Sequence, residues 1–127
     1  MMVFERPAAA GLVFGGCVAV LLISFLLMPG YESYADEVGY MLRVTARVAF
    51  CFLILAYIAR PLRTLTGRGG VLVRNRRYLG LAMAAAHTLH FYYVVESLAL
   101  SEEPLALVTA VFGGLAFVLM WLMAITS

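Results

Sequence analysis

The apolar residues of this chain form blocks of about twenty, separated by short charged stretches. An α-helix of that length crosses the roughly 30 Å of hydrocarbon in a bilayer. Hydrophobic residues make up 65% of the chain and charged residues 13%, whereas a soluble domain is about half apolar and about a quarter charged. The pattern therefore predicts an all-α, multi-pass membrane protein, with all 127 residues in a single transmembrane domain.

Four blocks predict four membrane-spanning helices that pack as a bundle. The predicted spans cover about residues 8–28, 44–59, 78–100 and 104–125. Pro29-Gly30 follows the first block and Arg60-Pro61 the second, and we expect both pairs to end their helices. Pro104 is suited to the first turn of the fourth helix, because proline lacks an N–H that this turn does not need.

The arginines predict the orientation, because cytoplasmic loops contain an excess of basic residues. All nine basic residues are arginines, and six lie between the second and third predicted spans. These six are Arg60, Arg63, Arg68, Arg74, Arg76 and Arg77, while the two other connections contain Glu32, Asp36, Glu37, Glu102 and Glu103. We therefore expect both termini on the cytoplasmic side of a bacterial inner membrane. Alternatively, the arginines form a patch for lipid phosphates.

A net charge of +2 does not indicate nucleic-acid binding.

Two histidines interrupt the third apolar block. His87 and His90 are three residues apart, so on a helix they share one face, and Met83 lies along it. The two residues lie about 14 and 18 Å above the inner interface. An ionisable ring is costly in lipid, so we expect this face to point into the bundle. Haem ligation, proton transfer and a hydrogen bond between helices all fit such a pair.

Haem ligation has a geometric requirement that this pair alone does not meet. Axial ligands approach iron from opposite sides, and two rings on the same face of one helix cannot do so. The chain contains two histidines, so a bis-histidine haem needs a ligand from another subunit, a second copy or a further segment. Glu96 lies about 180° from His87 around the helix and cannot share its site.

The segment ARPLRTLTGRGGVLVRNRRYLGLAMAAAHTLH, residues 59–90, resembles the ferric reductase-like transmembrane domain family. The resemblance is greatest to the haem-b membrane subunits of the MsrQ (YedZ) group, which have a TP-L-R loop, then R-R-x-L-G-L, then a Leu-His pair. The matching residues are Pro61, Leu62, Arg63, Arg76, Arg77, Leu79, Gly80, Leu81, Leu89 and His90. Weaker matches are TAR at residues 45–47 and AITS at residues 124–127.

The resemblance implies that His90 ligates the iron of haem b, opposite a histidine from a later helix. The MsrQ group has no histidine at the position of His87, although related ferric reductase-like proteins have H-x-x-H. His87 would then be a second ligand or a hydrogen-bonding neighbour. Members of the family continue with a fifth and a sixth span, so the chain would correspond to the N-terminal part of a six-helix domain.

The function implied by the resemblance is transmembrane electron transfer. Haem would accept electrons one at a time from a quinol or an inner-side reductase and pass them to a periplasmic acceptor, in a homo- or hetero-oligomer. The loops are too short for a flavin or NAD domain of the chain's own. The competing interpretation is a non-enzymatic membrane scaffold or small transporter subunit, in which the histidines form hydrogen bonds between helices.

Three further residues are candidates for contact with the cofactor. Arg47, near the outer interface, would pair with a haem propionate or extend to the lipid headgroups. Gly80 would allow a macrocycle or a neighbouring helix to approach closely. Met83 would line the edge of the haem or fill space in the bundle.

Overall fold

A computed structural model describes residues 5–102, 104 and 106–126 of the chain, and these residues form five α-helices without a β-strand. The helices are α1 Glu5–Leu26, α2 Tyr34–Thr66, α3 Gly70–Arg74, α4 Arg76–Leu100 and α5 Leu107–Thr126. The predicted all-α fold is confirmed for the described residues. Helices α1 and α4 lie within a few residues of their predicted bounds, whereas α3 lies in the arginine-rich loop and was not predicted.

Helix α2 begins at Tyr34, within a segment that the sequence analysis assigned to a loop before a span starting near Val44. The Ser33 side chain caps this end, accepting a hydrogen bond from the Ala35 backbone N–H at 3.2 Å. Acidic residues Asp36 and Glu37 in the first turn also favour a helix start, because they interact with the positive end of the helix dipole. Most of the charged loop is therefore the first part of the helix, whereas Glu32 precedes it.

The prediction that Arg60-Pro61 ends the second helix is wrong, because α2 continues through Pro61 to Thr66. Proline lacks one backbone donor, and helices that cross membranes tolerate this loss where neighbouring groups compensate. The helix instead ends at Gly67, which has a φ of 68° and donates its N–H to the Arg63 carbonyl. Glycine adopts this left-handed conformation without a steric penalty.

The prediction that Pro104 lies in the first turn of the last helix is also wrong. Helix α5 begins at Leu107, and Pro104 lies outside it. Glu103, one of the acidic residues used to predict the orientation, and Ser127, the last residue of the weaker AITS match, lie outside the described residues.

The core lies where α1, α2 and α4 meet. Its buried residues are Cys17, Val48, Ala49, Ala82 and Ala86, with Val13, Phe14, Leu21, Val44 and Phe52 packed around them. Alanine allows the backbones of α2 and α4 to approach closely, as at many helix contacts in membranes. Cys17 is buried in this core, whereas Cys51 is exposed.

Two helices, α2 and α5, are long and apolar enough to cross a membrane by length and composition, and α1 contains a shorter apolar stretch, Ala10–Leu26. Helix α5 exposes large apolar side chains over most of its length, including Leu107, Phe112 and Ile125. Among the described elements, α5 packs against α4. The structure thus contains two candidate membrane spans.

Candidate functional site: the histidine cleft

His90 faces α2 and is fixed there by polar contacts. Its Nδ1 lies 3.2 Å from the Leu42 carbonyl oxygen and 3.2 Å from the Thr45 hydroxyl. Thr45 is completely buried, and its hydroxyl donates to the Met41 carbonyl oxygen at 2.8 Å. The half-buried His90 ring is therefore turned toward α2 rather than toward the outside of the helices.

The Leu42 carbonyl favours one tautomer of His90. A carbonyl oxygen only accepts hydrogen bonds, so its contact with Nδ1 is a hydrogen bond in the tautomer that has the proton on Nδ1. In the neutral ring, Nε2 then keeps its lone pair. Metal-ligating histidines show the same pattern, with one ring nitrogen donating to a backbone carbonyl and the other available to the metal.

His87 has different surroundings from His90. Its ring centroid lies 5.6 Å from that of His90 and 6.1 Å from that of Phe117 on α5. The two histidines are therefore neighbours, as their spacing predicts. Within the described part of the chain, His90 forms interhelical hydrogen bonds, whereas His87 makes ring contacts.

Both histidines line a cleft of about 300 Å³ between α2, α4 and α5, which we call the histidine cleft. Its lining residues are Ala46, Ala49, Phe50, Leu53, Met83, His87, His90 and Met120. The two imidazoles and two thioethers are the polar or polarisable groups in this lining, and the other side chains are hydrocarbon. Such a cleft offers soft or borderline ligands within a largely apolar lining.

A second cleft, of about 420 Å³, lies toward the end of α4 that contains the arginines, and we call it the inner cleft. It is lined by Ala56, Arg76, Arg77, Gly80, Leu81, Met83, Met120, Met123 and Ala124. Met83 and Met120 line both clefts, so the two adjoin along α4 and α5. The Nε of Arg76 donates to the Ala56 carbonyl oxygen at 3.0 Å and links α4 to α2.

The structure places only some of the predicted site residues together. His87, His90 and Met83 line the histidine cleft, whereas Gly80 lines the inner cleft. A Cβ added to Gly80 would meet nothing within 4 Å, so the predicted close approach of a neighbouring helix does not occur among the described residues. Arg47 is exposed and is not among the lining residues of either cleft. Its pairing with a propionate stays a prediction.

Sequence reasoning missed the contribution of α5. The rings of Phe117 and Phe91 stack, with centroids 4.6 Å apart, and the Trp121 Nε1 donates to the Thr88 hydroxyl at 3.1 Å. Trp121 thereby joins α5 to α4. Phe117, Met120 and Trp121 have the spacing of one helix face. That spacing was the available signal, although it is hard to recognise in a helix that is apolar all round.

The lining of the histidine cleft contains two histidines and no other His, Cys, Asp or Glu side chain. Among the described residues, no three His, Cys, Asp or Glu side chains lie close enough to hold a metal ion together. A haem iron requires only axial ligands from the protein, since the porphyrin supplies the other four nitrogens. Histidine is one of the residue types that ligate haem iron, and the histidine cleft contains two of them, His87 and His90.

No family model matches the chain, and neither the curated proteins nor the solved structures searched give a match. We therefore infer the function from the chemistry of the cleft, together with the resemblance described for residues 59–90.

Proposed function

We propose that the chain is a haem-b-binding electron-transfer protein of a bacterial inner membrane. Its four long helices would cross the bilayer, with both termini on the cytoplasmic side. The apolar character of α2 and α5 and the arginine-rich loop between α2 and α4 support this arrangement.

The hydrogen bond between the His90 Nδ1 and the Leu42 carbonyl is the main support for haem binding. It directs the lone pair to Nε2, the nitrogen that would ligate iron, and holds the ring in one orientation. The buried Thr45 hydroxyl beside Nδ1 adds a second contact that would tune the basicity of the ring. Both contacts come from α2, so the ligand's geometry depends on the packing of α2 against α4.

The second axial ligand is proposed to come from another chain or a further segment, in keeping with the resemblance. His87 would be a neighbour of the haem, because two rings on the same face of one helix cannot both ligate its iron, and Met83 would contact the macrocycle. When bound, haem b supplies one-electron redox chemistry. The chain's own residues would hold the His90 imidazole and exclude water from the haem. The hydrocarbon lining of the cleft would set the local polarity, which influences the reduction potential of the iron. The electron donor would be a quinol or an inner-side reductase, and the acceptor a periplasmic protein.

Absorption spectroscopy of protein purified from haem-replete cells tests the proposal. We expect a Soret band and a reducible α-band in the wild type, and their loss in His90→Ala. His87→Ala, on the same helix face, should keep both bands, because His87 would be a neighbour of the haem and not its ligand. Loss of the bands in His87→Ala would contradict that role. A His90→Ala protein with the wild-type spectrum would contradict the assignment of His90.

The alternative function is that of a scaffold or transporter subunit in which the histidines join helices. The same contacts support it, because Leu42 and Thr45 already provide His90 with partners on α2. This alternative predicts a colourless, folded wild type and a less stable His90→Ala variant. Comparing the spectrum with the free energy of unfolding for both proteins distinguishes the two functions.

A further inference from the structure

The inner cleft combines two arginines with an otherwise apolar lining. Arg76, Gly80 and Met83 lie four and three residues apart and share one face of α4. The distance along the helix from Arg76 to Met83 is about 10 Å. The cleft therefore extends from a positively charged end to a hydrocarbon end lined by Met83, Met120 and Met123.

The charge of this cleft is not compensated by the described residues. The Nε of Arg76 donates to the Ala56 carbonyl oxygen, and this bond anchors the guanidinium group. The two Nη groups of Arg76 can then donate to a ligand. No described carboxylate pairs with Arg76 or Arg77. Guanidinium groups bind phosphate oxygens through paired hydrogen bonds. The arginine end of the cleft is therefore complementary to a phosphate.

We propose that the inner cleft binds one anionic phospholipid, with its phosphate at Arg76 and Arg77 and an acyl chain along the three methionines. The proposal rests on the membrane location proposed above but does not depend on haem. Basic pockets between helices on the inner side of a membrane are suited to anionic headgroups.

The lining favours a lipid over a small soluble anion. Beyond the arginines, every lining residue is apolar, and methionine side chains adapt to an irregular hydrocarbon chain. The volume of about 420 Å³ lies within the range of small-molecule sites, about 300–1,000 Å³. Gly80 keeps the middle of the cleft open, since a Cβ there would meet nothing within 4 Å.

Lipid binding can be measured on the full chain, purified from the membrane fraction in a neutral detergent. Native mass spectrometry would count bound lipid, and thermal denaturation would report stabilisation. We expect phosphatidylglycerol to be retained and to raise the Tm, whereas phosphatidylcholine with the same acyl chains and inorganic phosphate leave the Tm unchanged. An equal effect of phosphatidylcholine, or an effect of inorganic phosphate alone, would overturn the proposal.

Charge variants test the arginine end. Arg76→Gln with Arg77→Gln is expected to weaken phosphatidylglycerol binding about 25-fold, since each basic residue near an anionic headgroup contributes about fivefold. Arg68→Gln with Arg74→Gln removes the same charge from the segment that precedes α4, at residues that do not line the cleft. Equal weakening by both double variants would show nonspecific attraction and overturn the proposed site.

A filling variant tests the hydrocarbon end and leaves both arginines and the Arg76 bond to α2 intact. Gly80→Leu is expected to abolish the phosphatidylglycerol effect while the protein keeps its helical content. Gly114→Leu, on α5, is the control, because its surroundings are equally open. Unchanged lipid retention in Gly80→Leu would overturn the proposal. A colourless protein that retains phosphatidylglycerol would contradict only the haem function.

Discussion

Helix α4 contacts α2 and α5 in two different ways. Its contact with α2 buries small residues such as Ala49, Ala82 and Ala86 and includes hydrogen bonds to the Leu42 and Ala56 carbonyls. Its contact with α5 depends on stacked phenylalanines and one hydrogen bond from Trp121. Met120 is the buried residue of α5, although α5 is the more apolar of the two candidate membrane spans.

The difference shows that apolar character does not by itself pack a helix in this protein. In a bilayer, acyl chains are as apolar as leucine, so helices associate through close backbone approach and polar bonds instead. Helix α2 has both features, whereas the contacts of α5 with α4 are made by the large side chains of Phe117 and Trp121. Helix α5 therefore forms the less firmly held wall of both clefts, to which it contributes Met120.

The largest expected effect comes from overfilling the contact between α2 and α4. Ala86 is 1% exposed, so Ala86→Leu should reduce the free energy of unfolding by about 1–3 kcal/mol. Ala116→Leu on α5 is the control, because Ala116 is exposed and the added carbons enter lipid or detergent. Denaturant unfolding in micelles measures both, and equal losses would contradict the difference between the two contacts.

A smaller effect is expected at α5 itself. Phe117→Ala removes the stack with Phe91 and the contact with His87, and aromatic pairs contribute about 0.5–1.5 kcal/mol. The single tryptophan, Trp121, lies on the same helix and reports its position. We expect Trp121 fluorescence to become more accessible to a lipid-phase quencher. Phe112→Ala is the control because Phe112 is exposed, and equal quenching in the two variants would contradict the assigned contact.

The smallest effect on stability is expected at Thr45. Thr45→Val removes the hydroxyl beside the His90 Nδ1, and hydrogen bonds between membrane helices contribute about 0.6 kcal/mol on average. Thr88→Val instead removes the acceptor of the Trp121 bond. The free energy of unfolding should decrease in Thr45→Val, whereas Trp121 fluorescence should change in Thr88→Val. A change in Trp121 fluorescence on Thr45→Val would show that the two contacts of α4 are coupled.

The sequence analysis identified the helices more reliably than their ends. The apolar blocks indicate α1, α4 and α5, whereas the prediction that Pro61 breaks the helix places the end of α2 too early. A proline excludes only one backbone hydrogen bond, and whether a helix tolerates it depends on the surrounding contacts. The αL glycine at position 67 proved to be the actual end of the helix.

The same limits apply to the candidate site. Helical periodicity placed His87, His90 and Met83 on one face of α4, and the structure keeps them in one cleft. It did not reveal that His90 bonds Leu42 and Thr45, since those residues are more than forty positions away. Helical periodicity also did not indicate that Met120 lines the histidine cleft or that Arg47 does not.

The sequence by itself determined the all-helical character of the described chain and the residues that share each helix face, because both depend on local composition and a fixed angle per residue. The tertiary structure decided which face meets which. The sequence alone does not distinguish His87 from His90, since both lie on the same face of α4. The register of α2 against α4 brings only His90 into contact with the Leu42 carbonyl oxygen and the buried Thr45 hydroxyl. That register depends on the summed packing of small side chains along both helices, which no single segment of the chain specifies.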